Sequence, residues 1–191
     1  MLSKNNGGAD MVDRVIDKVL SDKIRIISIL VLDVDGVMTD GKIIIDDGGR
    51  ETKNFDVKDG HGIKILMRYG IDIVLLTGRR SAVVEHRARD LGIKEVHQGI
   101  LNKLEIFEEI IKKRSLRYEN VAFIGDDIVD IPLLKRVGFS AAVADASEDV
   151  KACVDYITKR RGGNGAVREV CELILWAQGK WADVGKRYEF R

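Results

Sequence analysis

Three short segments of the 191-residue sequence carry groups that could act together on one small ligand: Asp33-Val34-Asp35-Gly36, Thr77-Gly78-Arg79-Arg80 and Gly125-Asp126-Asp127. Each follows an apolar run with the look of a buried strand: Ile26 to Leu32, Ile71 to Leu76 and Val121 to Ile124. In open α/β sheets ligands bind beyond the carboxyl ends of the strands. The three loops are therefore expected to open on one edge. Gathering Asp33, Asp35, Asp126 and Asp127 there is unfavourable unless a cation offsets their repulsion. A hard divalent ion with oxygen ligands is implied. Mg²⁺ suits such a site, because it keeps several waters and leaves coordination for a phosphate.

The elements that must position these residues alternate between strand and helix. An amphipathic helix is expected behind the N-cap Asp10, with Met11, Val12, Val15, Ile16, Val19 and Leu20 on one face. After the first acidic loop, Lys42 to Ile45 and Glu51 to Phe55 flank Asp46-Asp47-Gly48-Gly49, which reads as a β-hairpin. From Asp59 onward, helices are expected around Ile63 to Met67, then at Ala82 to Leu91, Lys103 to Lys113, Ile128 to Val137, Ser147 to Cys153 and Ala166 to Trp176. Short strands are expected at Glu95 to His97, Ala141 to Val143 and Tyr156-Ile157. This order predicts an α/β three-layer sandwich around a central parallel sheet. No repeat or Pro-rich linker divides the chain, so a single domain over residues 1–191 is expected, with a hairpin flap at 42–55 and a tail at 177–191.

Composition narrows the partners. Lys and Arg number 32 against 31 Asp and Glu, a net charge of +1, which disfavours a protein that binds nucleic acid mainly by neutralising phosphates. No apolar stretch approaches the roughly 20 residues of a membrane span. The two cysteines, Cys153 and Cys171, form no metal-binding or disulfide pattern, and the polar start Ser3-Lys4-Asn5-Asn6 does not resemble a secretory signal. A cytoplasmic protein without nucleic-acid or membrane partners is expected.

The order Asp33-Val34-Asp35-Gly36-Val37, Thr77, Lys103 and Gly125-Asp126-Asp127-Ile128-Val129-Asp130 resembles the four-part signature of the haloacid dehalogenase superfamily. That resemblance implies a Rossmann-like core in which Asp33 is the nucleophile and Asp35 the general acid and base. Thr77 and Lys103 would hold the phosphoryl oxygens. Asp33, Asp35 through its backbone carbonyl, Asp126 and Asp127 would hold Mg²⁺, while Asp130 would at most orient its neighbours. The likeness extends further. Asp33 to Gly41, Val57 to Ile63, Leu76 to Ser81, Gly125 to Asp130 and Arg161-Gly-Gly-Asn-Gly-Ala-Val-Arg-Glu169 are similar to the 3-deoxy-D-manno-octulosonate 8-phosphate phosphatases, over about Ile24 to Trp176. This family implies a capless homotetramer that serves lipopolysaccharide biosynthesis, with neighbouring subunits helping to cover each site. Independently, the intervals 41–71 and 80–121 are already filled by core elements, which leaves no room for a cap.

Other residues have weaker claims. Arg79 could grip a sugar-acid carboxylate bidentately, and Arg80 has less reason to. Gly78 lies in the same substrate-binding loop. His61, between Gly60 and Gly62, is either a substrate contact or a surface residue of a glycine turn, and Asp59 is expected to cap the helix that follows. His86 and His97 show no metal spacing. The basic run Lys159 to Gly165 allows three readings: an anion site, a flexible linker, or a loop by which Arg161 helps to close an active site. Trp181, Tyr188 and Phe190 could dock on another subunit or stay unstructured. Two other functions compete with the leading one: a phosphatase for a nine-carbon sugar acid such as 2-keto-3-deoxynonulosonate 9-phosphate, and a non-catalytic phosphatase-like assembly module.

Overall fold

A computed structural model of the chain describes residues 17–190. Its strands are β1 (Ile29–Leu32), β2 (Ile44–Ile45), β3 (Glu51–Thr52), β4 (Asp72–Thr77), β5 (Glu95–Gln98), β6 (Val121–Gly125), β7 (Phe139–Ala142) and β8 (Tyr156–Ile157). Its helices are α1 (Lys18–Arg25), α2 (Val57–Arg68), α3 (Ala82–Leu91), α4 (Lys103–Arg114), α5 (Ile131–Leu134), α6 (Glu148–Lys151), α7 (Ala166–Ala177) and α8 (Trp181–Arg187).

Six strands form one parallel sheet in the order β5-β4-β1-β6-β7-β8, and β2 and β3 form a separate antiparallel hairpin. The inner strands β1, β6 and β7 are buried at every position and β4 at all but its first, which is why they read as continuous apolar runs. Right-handed crossovers put α2 and α3 on one face of this sheet and α4 and α5 on the other. On the first face α7 packs against α2 and α1; on the second, α4 packs against α5. Between β1 and β4 the chain contains only the hairpin and α2, and between β4 and β6 only α3, β5, α4 and a short 3₁₀ turn. The molecule is a capless α/β sandwich.

Several elements depart from the sequence expectation in bounds or context. Asp17 caps α1 by accepting the Leu20 N–H at 2.8 Å. The expected cap Asp10 and the expected turns up to residue 16 lie outside the described residues. Strand β1 begins at Ile29, not Ile26, because Ile26 is the C-cap of α1 and Ile27 N–H still bonds the helix carbonyl of Ile24. After β6 the expected helix opens with a 3₁₀ turn at Ile128–Asp130, since the Asp127 carboxylate takes the Ile128 N–H at 2.7 Å and tightens the entry. The tail is not unstructured: it forms α8, and Trp181 is buried, stacks on Trp176 at 5.5 Å and meets Phe190 at 6.0 Å.

Candidate active site

Register brings the three polar loops together. Leu32 of β1 lies opposite Leu75 of β4 and Ile124 of β6, so Asp33, Thr77 and Asp126 all fall at or just past the carboxyl ends of adjacent strands. Asp33 N–H still bonds the Ile124 carbonyl at 3.2 Å, which holds its backbone in the ladder. Beyond it the chain reverses tightly: the Val34 carbonyl accepts from Val37, Met38 and Thr39. The buried Thr39 hydroxyl accepts from Gly36 N–H at 3.4 Å and Gly41 N–H at 3.2 Å. Gly36 has φ +90°, and a Cβ there would lie 2.0 Å from Asp126 Oδ2. Only glycine lets the first and third loops approach this closely.

The charges at this edge are buried and coupled. Lys103 opens α4 and is buried, with Nζ 2.8 Å from Asp33 Oδ1 and 2.7 Å from Asp130 Oδ1. Asp130 is fully buried, and its other oxygen accepts the Asp126 N–H at 3.1 Å. Oxygens of Asp33, Asp126 and Asp130 all lie within 4.8 Å of one another. Burial raises the Asp33 carboxyl above the ordinary range against the pull of Lys103. Burial also raises Asp126, and the charges of Asp33 and Asp130 add to it. Burial works to lower Lys103, yet Asp33 and Asp130 lift it above its usual value, so it remains a cation. Asp126 Oδ1 is buried without a hydrogen-bond partner. An orphaned carboxylate oxygen among others, in a cradle that a Cβ at Gly36 would fill, fits a hard divalent cation with oxygen ligands.

A second set of charges surrounds Asp35. Lys53, just beyond β3, buries its side chain to 2% exposure and pairs with Asp35 Oδ1. The same ammonium lies 3.3 Å from Glu51 Oε1, which also accepts a 2.8 Å hydrogen bond from Arg79 Nη2. Arg79 Nε in turn is 3.8 Å from Asp35 Oδ2. Asp35, Lys53, Glu51 and Arg79 thus form a closed ring of alternating charge joining the acidic loop, the hairpin and the loop after β4.

Comparison with known proteins decides the family. Residues 92–170 match the family model of haloacid dehalogenase-like hydrolases. Over 154 residues the chain is 47% identical to the 3-deoxy-D-manno-octulosonate 8-phosphate phosphatase of Escherichia coli strain K12, covering 81% of this chain and 82% of that protein. The chain belongs to the 3-deoxy-D-manno-octulosonate 8-phosphate phosphatase family. A solved member of this phosphatase family from Moraxella catarrhalis, in complex with magnesium ion, phosphate ion and a KDO molecule, superposes with a TM-score of 0.89 at 40% identity, over 91% of this chain and 99% of that one. The Yersinia pestis phosphatase structure gives 0.86 at 43% identity, over 87% and 90%.

Against the family signature, the remaining residues fall as follows. Thr77 is buried at the end of β4, and Gly78, Arg79 and Arg80 are exposed beyond it. Asp127 is exposed and its carboxylate caps Ile128, so Asp130 and not Asp127 shares the cluster with Asp33 and Asp126. His61 sits in α2 and not in a glycine turn; it is exposed, with its ring edge-on to Tyr188 at 5.6 Å. Asp56, not Asp59, caps α2. Asp59 is buried and accepts from Gly165 N–H at 3.2 Å and Arg168 N–H at 2.7 Å, so it caps α7 from a neighbouring helix; burial raises its carboxyl to about 6. The glycine-rich segment is docked: Gly163 N–H bonds the Val37 carbonyl at 2.9 Å, and a Cβ on Gly162 would lie 1.7 Å from the Gly36 carbonyl oxygen. That seating sets Arg161, whose side chain is exposed, beside the acidic loop.

Sequence reasoning missed Lys53 and Glu51. The run Glu51-Thr52-Lys53-Asn54-Phe55 carries no polar and apolar alternation that marks them, although the extended backbone turns Glu51, Lys53 and Phe55 inward and Thr52 and Asn54 outward. An inward lysine beside an acidic loop calls for a carboxylate partner.

Proposed function

We propose that this protein hydrolyses the phosphate ester of 3-deoxy-D-manno-octulosonate 8-phosphate, releasing the sugar acid and inorganic phosphate. The observation that carries this reading is the buried Asp33–Lys103–Asp130 cluster with the open Asp126 oxygen at the strand ends, in a chain 47% identical to a phosphatase of that substrate. Asp33 attacks phosphorus, forming an Asp33–phosphorus ester bond as the bond to the sugar oxygen breaks. Asp35 gives its proton to the departing oxygen. A water then attacks the aspartyl phosphate, returns a proton to Asp35, and phosphate leaves with Asp33 restored. Thr77 and Lys103 bind the phosphoryl oxygens, and Arg79 and Arg161 are the cations placed for the sugar carboxylate.

Asp33 and Asp126, with the Asp35 carbonyl, are the groups that would hold Mg²⁺, with Asp130 fixing them from behind. When bound, the ion supplies charge neutralisation for the transferring phosphoryl group. We also read the whole chain as one phosphatase domain that works as a cytoplasmic homotetramer. Free cysteines at 153 and 171 suit a reducing compartment. The exposure of Ile43, Ile44 and Ile45 on the hairpin (58%, 39% and 58%) suits a surface covered by other subunits.

Phosphate release from a panel of sugar phosphates, with Mg²⁺ and with chelator, tests this function. Fastest turnover is expected on the eight-carbon acid; a preference for the nine-carbon acid 9-phosphate, or no turnover at all, overturns it.

A further inference from the structure

We propose that Lys53, carried in by the hairpin, is a positioning residue that fixes which oxygen of Asp35 meets the leaving group, with Glu51 and Arg79 completing the clamp. The inference rests on the phosphomonoesterase chemistry above but not on the identity of the sugar.

Lysine is almost never fully buried unless paired, and taking an ammonium out of water costs several kcal/mol. The hairpin has little cohesion of its own, since its strands are two residues each and its isoleucines face outward, so the buried ammonium is what fastens it to the acidic loop. The charge is spent on Asp35. With Oδ1 held by Lys53, only Oδ2 remains to carry a proton toward the reacting centre, and Arg79 Nε at 3.8 Å borders that side. A protonated carboxyl suits this arrangement: its carbonyl oxygen accepts from the ammonium while its hydroxyl donates to the departing oxygen. Glu51 prevents the ammonium from swinging away, because its Oε1 is shared by Lys53 and Arg79. The ring also ties proton delivery to Arg79, so the hairpin couples the two ends of the substrate.

The test is a leaving-group series. Values of kcat/KM report steps up to cleavage of the phosphate ester, so they isolate proton donation by Asp35 from the later hydrolysis. For native protein and Lys53→Met, kcat/KM is measured on phenyl phosphates of graded acidity and on a phosphorylated primary alcohol. The expected result is a loss of about 10²-fold on the alkyl ester, where the departing oxygen needs a proton, and little loss on nitrophenyl phosphate, where it does not. The variant's dependence on leaving-group acidity is then steeper than the native one. Parallel lines, or no loss on either ester, overturn the proposal. Unchanged Mg²⁺-dependent binding of orthovanadate shows that the phosphoryl pocket is intact. Should Lys53→Met fail that control, Glu51→Gln carries the same series, with a steeper line expected and a parallel one refuting. If the native chain cleaves no phosphomonoester, the earlier reading falls; if it cleaves them and the lines are parallel, only this inference falls.

Discussion

The strand-end cluster and the hairpin serve one reaction but are built in opposite ways. Asp33, Lys103 and Asp130 sit inside the sheet's own packing, anchored by ladder hydrogen bonds and by each other, and none exceeds 6% exposure. The hairpin is four strand residues long, turns its isoleucines to the outside, and sends in two charged side chains. The first region is held by the fold and cannot move without it. The second is held by the charges it delivers, so its position and its chemistry depend on the same contacts.

Four measurements would sharpen or break that contrast. The largest effect is expected inside the sheet. Asp33→Asn should lower turnover on the order of 10⁴-fold or more while the circular dichroism and melting transition stay native-like. Substantial residual turnover would show that the attacking group lies elsewhere. Next comes proton competition. Because Asp126 and Asp33 are raised, the metal-free cluster holds protons near neutrality that Mg²⁺ must displace, so affinity weakens as pH falls. Between about 8 and about 6, the values to which the two carboxyls are raised, calorimetric Mg²⁺ affinity should drop up to roughly 100-fold, with measurable proton release. A flat profile would mean that the carboxylates are already ionised without the ion.

Smaller effects probe the supports. Gly162→Ala puts a methyl group onto the Gly36 carbonyl and should cost about 1–3 kcal/mol in denaturant unfolding, with a fall in kcat as the acidic loop is displaced. An unchanged midpoint would show that the glycine-rich segment can lift off freely. At the hairpin tip, Arg50→Ala removes an exposed pair with Asp46 and should change stability by less than about 0.5 kcal/mol and leave kcat as it was. A large loss there would make the tip, and not only the inward face of β3, part of the site.

The sheet and the cluster were legible because their signals are local. Apolar runs that end abruptly in Asp33, Thr77 and Asp126 declare both strand and site within a few residues. Lys53 was not legible in the same way. Its partner Asp35 lies 18 positions earlier, across a reversal whose geometry the hairpin pattern alone does not specify. The same holds for Asp59, which looked like a cap for its own helix and instead serves one that begins over a hundred positions later. The inward turn of Asp130 was hidden for a different reason: a 3₁₀ turn, not an α-helical one, follows β6, and it brings the Asp130 carboxylate to Asp33 and Asp126 while Asp127 stays exposed.

The placement of β1 between β4 and β6 has a consequence for how the molecule comes into being. Its pairing with β6 joins segments far apart in the chain; just below it, Ser28 and Asn120, 92 positions apart, are hydrogen bonded. Such non-local parallel pairing forms slowly, after the local helices. Asp33 and Asp126 therefore meet only when the central sheet closes. Until then neither the repulsion nor the pocket exists, so recovery of activity during refolding should time the docking of β6 and lag behind the return of helical signal.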